Sequence, residues 1–234
     1  MGLLVPAYFY PAGVGAAFWR QLMEAAADVD VVAVANPSNG PGDVLNDDYA
    51  RVIKEAASSG VKVVGYVSTD YARKSLIEVK NEIDRWLDLY PQVRGVFFDQ
   101  QSPQAKDLEY YLSLRDYSRE KLSNRQALVI TNPGTPCAED YFARSAADTI
   151  CIFSNPEGFE ELELGLLQDR YPPSCFAALA YNIPGAEAMQ ALVHAAWEKG
   201  IGLIYISDAQ NPSNPWSRLP AYWEEEVQAV AQTR

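Results

Sequence analysis

Gly95-Val96-Phe97-Phe98-Asp99-Gln100 is a short apolar run that ends abruptly in an acid and an amide. Such a run suits a strand buried on both faces, as in a parallel sheet covered by helices. Asp99 then stands where the strand leaves the core, at the C-terminal edge where α/β folds bind ligands. The same phrase recurs along the chain: an apolar run, a polar or Gly/Pro-rich loop, then an amphipathic stretch. The apolar runs are Leu3–Phe9, Val31–Ala35, Val61–Val67, Gly95–Phe98, Ala127–Thr131, Thr149–Phe153, Cys175–Tyr181 and Ile201–Ile206. The helical candidates between and after them are Gly15–Ala27, Asp47–Ser59, Ser75–Tyr90, Gln104–Ser123, Ala138–Ala146, Gly158–Arg170, Ala186–Lys199 and Pro220–Gln232. Ile83, Trp86, Leu87 and Tyr90 show the helical spacing. Gly60 and Gly200, each between a helix and a strand, fit left-handed caps.

Strand–helix alternation implies a parallel sheet. Eight units within 234 residues, with none left over, favour a closed (β/α)8 TIM-type barrel; an open doubly wound sheet is the competing arrangement. No composition break or Ser/Gly-rich linker divides residues 1–234, so one domain is expected. A hydrophobic fraction of 48% and a charged fraction of 21% are those of a soluble globular protein. The net charge of −12 argues against a nucleic-acid partner, because phosphate binding needs a basic surface. No apolar run approaches the roughly 18 residues needed to span a bilayer. The Met1-Gly-Leu-Leu-Val-Pro6 start has neither a basic n-region nor a long apolar h-region, so no signal peptide is read there. Cys137, Cys151 and Cys175 lack metal-type spacing; they read as buried free thiols, with a Cys151–Cys175 bridge as the other option. No metal cluster, P-loop or dinucleotide fingerprint is present, and no cofactor is expected.

In a barrel, function sits in the loops after the strands. Those loops carry Tyr8, Asn36, Asn39, Tyr66, Asp70, Asp99, Gln100, Asn132, Ser154, Tyr181, Asp208 and Trp216, with few basic groups. Aromatic faces suit sugar C–H groups, and amides and carboxylates hydrogen-bond hydroxyls, so the rim suits a neutral polyhydroxylated ligand, an oligosaccharide or polysaccharide. Each piece has a plainer reading. Asn36–Gly42 is rich in turn formers. Tyr8, Tyr66 and Tyr181 could pack the rim, and Asp99 could cap the next helix. His194, the one histidine, falls within Ala186–Lys199 and reads as structural.

Asn36-Pro-Ser-Asn-Gly-Pro-Gly42, Gly65-Tyr-Val67, Phe97-Phe-Asp99, Asn132-Pro-Gly-Thr135, Asn214-Pro-Trp216 and Leu219-Pro-Ala-Tyr-Trp223 together resemble the spherulin-4 family, spherulation-specific family 4, from end to end. That resemblance implies a (β/α)8 glycoside hydrolase acting on an amino-sugar exopolysaccharide of the galactosaminogalactan type, rich in N-acetylgalactosamine, with Asp99 among its active-site acids. Three rim positions depart from the family pattern. Gln100 stands where it has Glu, Ser154 where it has an acid after the sixth strand's Phe, and Ser68 where it commonly has His. Each departure removes a titratable group.

Glycoside cleavage typically needs two carboxyl groups, about 5–5.5 Å apart for retention or 6.5–9.5 Å for inversion. Gln100 cannot exchange a proton, so Asp70 and Asp208 are the rim candidates for a catalytic partner of Asp99. An N-acetyl group on the substrate could instead supply the nucleophile. The competing reading is a catalytically degenerate carbohydrate-binding protein in which Gln100 and Ser154 only hydrogen-bond. Localisation divides: the resemblance points outward, whereas the N-terminal sequence and the odd cysteine count point inward.

Overall fold

Eight parallel strands pair in chain order and close on themselves, and a helix follows each. The structure, a computed structural model, describes residues 1–122, 127–210 and 214–233. Ser123 of the fourth expected helix and residues 211–213 of the last rim loop lie outside the described residues. The strands are β1 (Gly2–Ala7), β2 (Val31–Ala35), β3 (Lys62–Ser68), β4 (Gly95–Asp99), β5 (Leu128–Asn132), β6 (Thr149–Asn155), β7 (Phe176–Ala180) and β8 (Leu203–Ile206). The helices are α1 (Val14–Ala25), α2 (Asp47–Ser58), α3 (Leu76–Leu89), α4 (Leu108–Lys121), α5 (Asp140–Ala143), α6 (Leu167–Arg170), α7 (Ala186–Glu198) and α8 (Trp223–Ala231). This is a (β/α)8 barrel. Among the described residues no helix is long and apolar enough to cross a membrane.

The apolar runs are continuous because every strand is covered twice, by barrel-filling side chains within and by helices without. β1, β2 and β7 are buried along their whole length. Helix ends carry the expected local chemistry. Asn46 caps α2 by accepting from the Tyr49 amide, and Ser75 with Glu78 forms a capping box on α3. Gly60 and Gly200 adopt left-handed φ of 93° and 76° after their helices. At Gly65 the reason is space: a Cβ there would lie 2.5 Å from the Trp86 ring of α3. The Trp86 indole in turn donates to the Tyr66 carbonyl at 2.9 Å, fixing β3 against its helix.

Two expected helices contract. Residues 158–170 form a helix only at α6, because Gly158 and Gly165 take left-handed φ of 86° and 54° and break the ladder. Their apolar residues Phe159, Leu162 and Leu164 are nonetheless buried, as a folded loop. The 138–146 helix shrinks to the single turn of α5, and Ser145 follows it at φ 50°. All three cysteines are free thiols, so no Cys151–Cys175 bridge forms. The register sets Cys151 opposite Ala177, beyond Cys175, and the Cys151 thiol donates to its own strand at the Phe153 carbonyl, 3.2 Å away. Cys151 is buried as expected, but Cys137 and Cys175 are only half-buried.

The barrel seam is short, since β1 and β8 pair only through Gly2–Leu203 and Leu3–Ile204. Beyond it the Ile206 amide donates to Glu226 Oε1 of α8 at 2.8 Å. Glu226 is fully buried, and burial raises its carboxyl pKa well above the ordinary value. The native state therefore keeps a proton that the unfolded chain has lost. Stability is full below the ordinary glutamate pKa and declines as pH rises from there through the raised native value. Glu226→Gln, which keeps the acceptor without the charge, is expected to flatten the fall in Tm with rising pH. Glu226→Leu strands the Ile206 amide and should cost about 1–3 kcal/mol relative to the glutamine variant. Thermal melts across pH check both.

Candidate functional site

Ser68, Asp99 and Asn132 stand at one level on β3, β4 and β5, as the strand register pairs them. Register partners on parallel strands share a face, and residues two apart along a strand share it too. Tyr66 therefore lies directly below Ser68 on the same wall. The Tyr66 hydroxyl donates to Asp99 Oδ2 at 2.9 Å, and the Asn132 amide donates to Oδ1 at 2.8 Å. Tyr8, just past β1, meets the Tyr66 ring edge-on at 5.7 Å. Burial pushes the Asp99 carboxyl above the usual carboxylate range, while hydrogen bonds from Tyr66, the Gln100 backbone and Asn132 pull the other way. Burial and the neighbouring Asp99 also raise the Tyr8 and Tyr66 phenols, which stay protonated.

Alternation along a strand would turn Gln100 away from Asp99. Instead Gln100 sits at φ 55°, a left-handed conformation that redirects its side chain. The Ser68 hydroxyl donates to Gln100 Oε1 at 2.6 Å. Ser68 and Gln100 thus form a neutral pair. Thr69 holds this turn from behind. Its hydroxyl contacts the carbonyls of Asp99 at 3.1 Å and Gln100 at 2.9 Å, as well as the Tyr111 hydroxyl at 2.9 Å.

Ser154 reaches the cluster by a different device. The β6–β7 register slips by one residue between Cys151 and Phe153. Such a bulge resets the alternation, so Ser154 rather than Phe153 shares the face of Cys151. Gly134, in the loop after β5, lies beside both Ser154 and Asn132: a Cβ on it would lie 3.3 Å from the Ser154 Cβ and 3.8 Å from Asn132 Oδ1. That Asn132 oxygen is buried and has no hydrogen-bond partner among the described residues.

The side chains of the other expected residues make different contacts, although the Asp70 amide donates to the Ser68 hydroxyl at 3.3 Å. Asp70 pairs with Arg73 at 2.5 Å, which holds its carboxyl below the ordinary range. Asp208 pairs with Arg218 at 2.7 Å, and β8 lies four strands from β4, on the opposite wall. Asn36 closes its own turn, its side-chain oxygen accepting from the Gly40 amide at 2.9 Å, and Asn39 is exposed at φ 50°. Tyr181 and Trp216 meet edge-on at 5.6 Å on the β7–β8 side. Asp99 caps no helix: Gln104 and Asp107 precede the next helical segments. His194 is exposed on α7, beside Glu198 and the Trp197 ring. Among the described residues no group of His, Cys, Asp and Glu is placed to hold a metal ion. A cavity of about 570 Å³ opens at the other end of the barrel, by Gly2, Lys62, Arg94 and Trp197, and contains none of the rim residues.

Among the described residues the cluster thus offers one half-buried carboxyl, protonated phenols, two amides and hydroxyls. It can bind a polyhydroxylated or acetamido ligand and hold or pass one proton. The spherulation-specific family 4 matches residues 2–230. Spherulin-4 of Physarum polycephalum is 28% identical, the match covering 97% of this chain and 69% of that protein. Among solved structures, Aspergillus clavatus Sph3 in complex with GalNAc superposes with a TM-score of 0.81 at 27% identity, over 98% of this chain and 97% of that one. The C-terminal domain of a putative chitinase from Desulfitobacterium hafniense DCB-2 shares the fold, with a TM-score of 0.67 at 11% identity over 99% of both chains.

Proposed function

The chain belongs to spherulation-specific family 4, and from that premise and the Asp99 cluster we propose a glycoside hydrolase-like protein acting on an N-acetylated amino-sugar exopolysaccharide of the galactosaminogalactan type. The observation that carries this reading is Asp99, a half-buried carboxyl held by Tyr66 and Asn132 at the barrel mouth. The GalNAc complex of the structural relative Sph3 supports the sugar class.

Among the described residues Asp99 is the carboxyl of the cluster, and the two rim acids expected to partner it, Asp70 and Asp208, pair with arginines. The chemistry that fits is substrate-assisted. The protonated Asp99 gives its proton to the glycosidic oxygen as the C–O bond breaks, and the acetamido oxygen of the substrate closes on the anomeric carbon. Water then opens that ring and returns a proton to Asp99. A carboxyl raised by burial suits such a donor.

The neutral Ser68–Gln100 pair favours a second reading, a cleft that holds the sugar without cutting it. Reducing-end release from acetylated and deacetylated polymer, measured beside calorimetric binding of the same samples, separates the two. Release confined to the acetylated polymer supports substrate assistance. Saturable binding with no release favours the binding-only protein, and neither binding nor release rejects both.

A further inference from the structure

Resting on that reading of the cleft, we propose that Tyr71 is a sugar-stacking platform beside the Asp99 cluster, a subsite for a second ring of the polysaccharide. The backbone motivates it. Asp70, Tyr71 and Ala72 are consecutive non-glycine residues with φ of 47°, 56° and 65°. L-residues visit this left-handed region as isolated residues, and runs of it are disfavoured. Strain of this kind persists where surrounding structure over-determines it, and it clusters at functional sites.

The restraint comes from the candidate site itself. The Tyr71 amide donates to the Gln100 carbonyl at 2.8 Å, and the Thr69 amide donates to the Asp99 carbonyl at 3.0 Å. The turn is therefore built on the two residues at the centre of the cleft. Its product is an aromatic ring 47% exposed on the rim. The Arg73 guanidinium lies 5.8 Å from the ring centroid and is itself tied to Asp70. One side of the ring faces that cation, and its hydroxyl has no partner among the described residues. Tyr10 is the contrast. It is similarly exposed at 50%, but its hydroxyl bonds Asp48 at 2.9 Å and its ring packs edge-on against Tyr49. Tyr10 is bound into its loop, whereas Tyr71 presents an open face. A flat ring suits the C–H face of a pyranose.

The test uses calorimetry with N-acetylgalactosamine and its longer oligomers, together with thermal melts. Glycine accepts a left-handed φ without strain, so Tyr71→Gly should melt at or above the wild-type temperature. It should weaken the longer oligomers by about three- to tenfold, the worth of an aromatic contact, and leave the monosaccharide nearly unchanged. Tyr71→Phe should bind as wild type does. Unchanged oligomer affinity in Tyr71→Gly, or equal weakening of monosaccharide and oligomer, overturns the platform alone. So does a Tyr71→Gly protein that melts several degrees lower, since the ring is then a packing residue. Wild-type protein that binds no sugar overturns the platform and the reading of the cleft together.

Discussion

Sugar release is expected to fall by about 10²–10⁴-fold in Asp99→Asn, the range that general acid–base participation supplies. The mechanism above rests on one titratable group, and asparagine cannot hold or deliver the proton. Binding should suffer far less. The asparagine oxygen still accepts one of the two hydrogen bonds from Tyr66 and Asn132, while its amide meets the other donor unfavourably. An affinity loss below about tenfold is therefore expected, one hydrogen bond being worth about 0.5–1.5 kcal/mol. The Tm should change little, because removing a half-buried ionisable group offsets part of that loss. The pH profile adds a second arm. Burial raises the Asp99 pKa, so kcat/KM should decline as pH climbs past an apparent pKa above the ordinary aspartate value. An Asp99→Asn protein that releases sugar at the wild-type rate removes Asp99 from the chemistry. Loss of release and binding in equal measure makes it a binding residue only.

Much of the barrel was legible because parallel strands buried on both faces leave unbroken apolar runs. Val31–Ala35 and Gly95–Phe98 coincide with β2 and most of β4. One departure shows its cause plainly. Residues 158–170 have helix-like apolar content, yet two left-handed glycines fold them into a loop that buries the same side chains. Periodicity reports burial there, not conformation.

At the site, Asp99 and Asn132 were readable as residues after strands, but their contact depends on the β4–β5 register, which no single strand reveals. Gln100 and Ser154 show the limit more sharply. Strict alternation would send each away from the cluster; a left-handed φ redirects one and a bulge the other. Neither device has a glycine or proline to announce it. Thr69 and Tyr111, which hold the Asp99–Gln100 turn, passed unnoticed because a threonine after a strand and a tyrosine in a helix are ordinary. Tyr66 signalled an aromatic rim residue, whereas its geometry makes it the support of Asp99.

Those same devices make the reverse experiment informative. In Gln100→Glu/Ser154→Glu, turnover is expected to rise by about 10²–10⁴-fold, since two proton-exchanging groups join Asp99 on the rim. The scaffold is prepared for the first of them: the Ser68 hydroxyl that donates to Gln100 Oε1 can donate to a carboxylate in the same place, and the left-handed backbone already aims the side chain. For the second, the bulge in β6 has already turned position 154 toward the Asn132–Gly134 loop. New carboxylates beside Asp99 raise one another's pKa values by like-charge repulsion, which suits one as acid and another as base at neutral pH. The single variants should each recover less than the double, because an acid without its partner completes only half of a two-carboxyl mechanism. If the double variant binds oligosaccharide as wild type does and its turnover stays at the wild-type level, the missing acids are not what limits this cleft. The limit then lies in how the sugar is seated, and the Ser68–Gln100 pair belongs to a site shaped for holding its ligand.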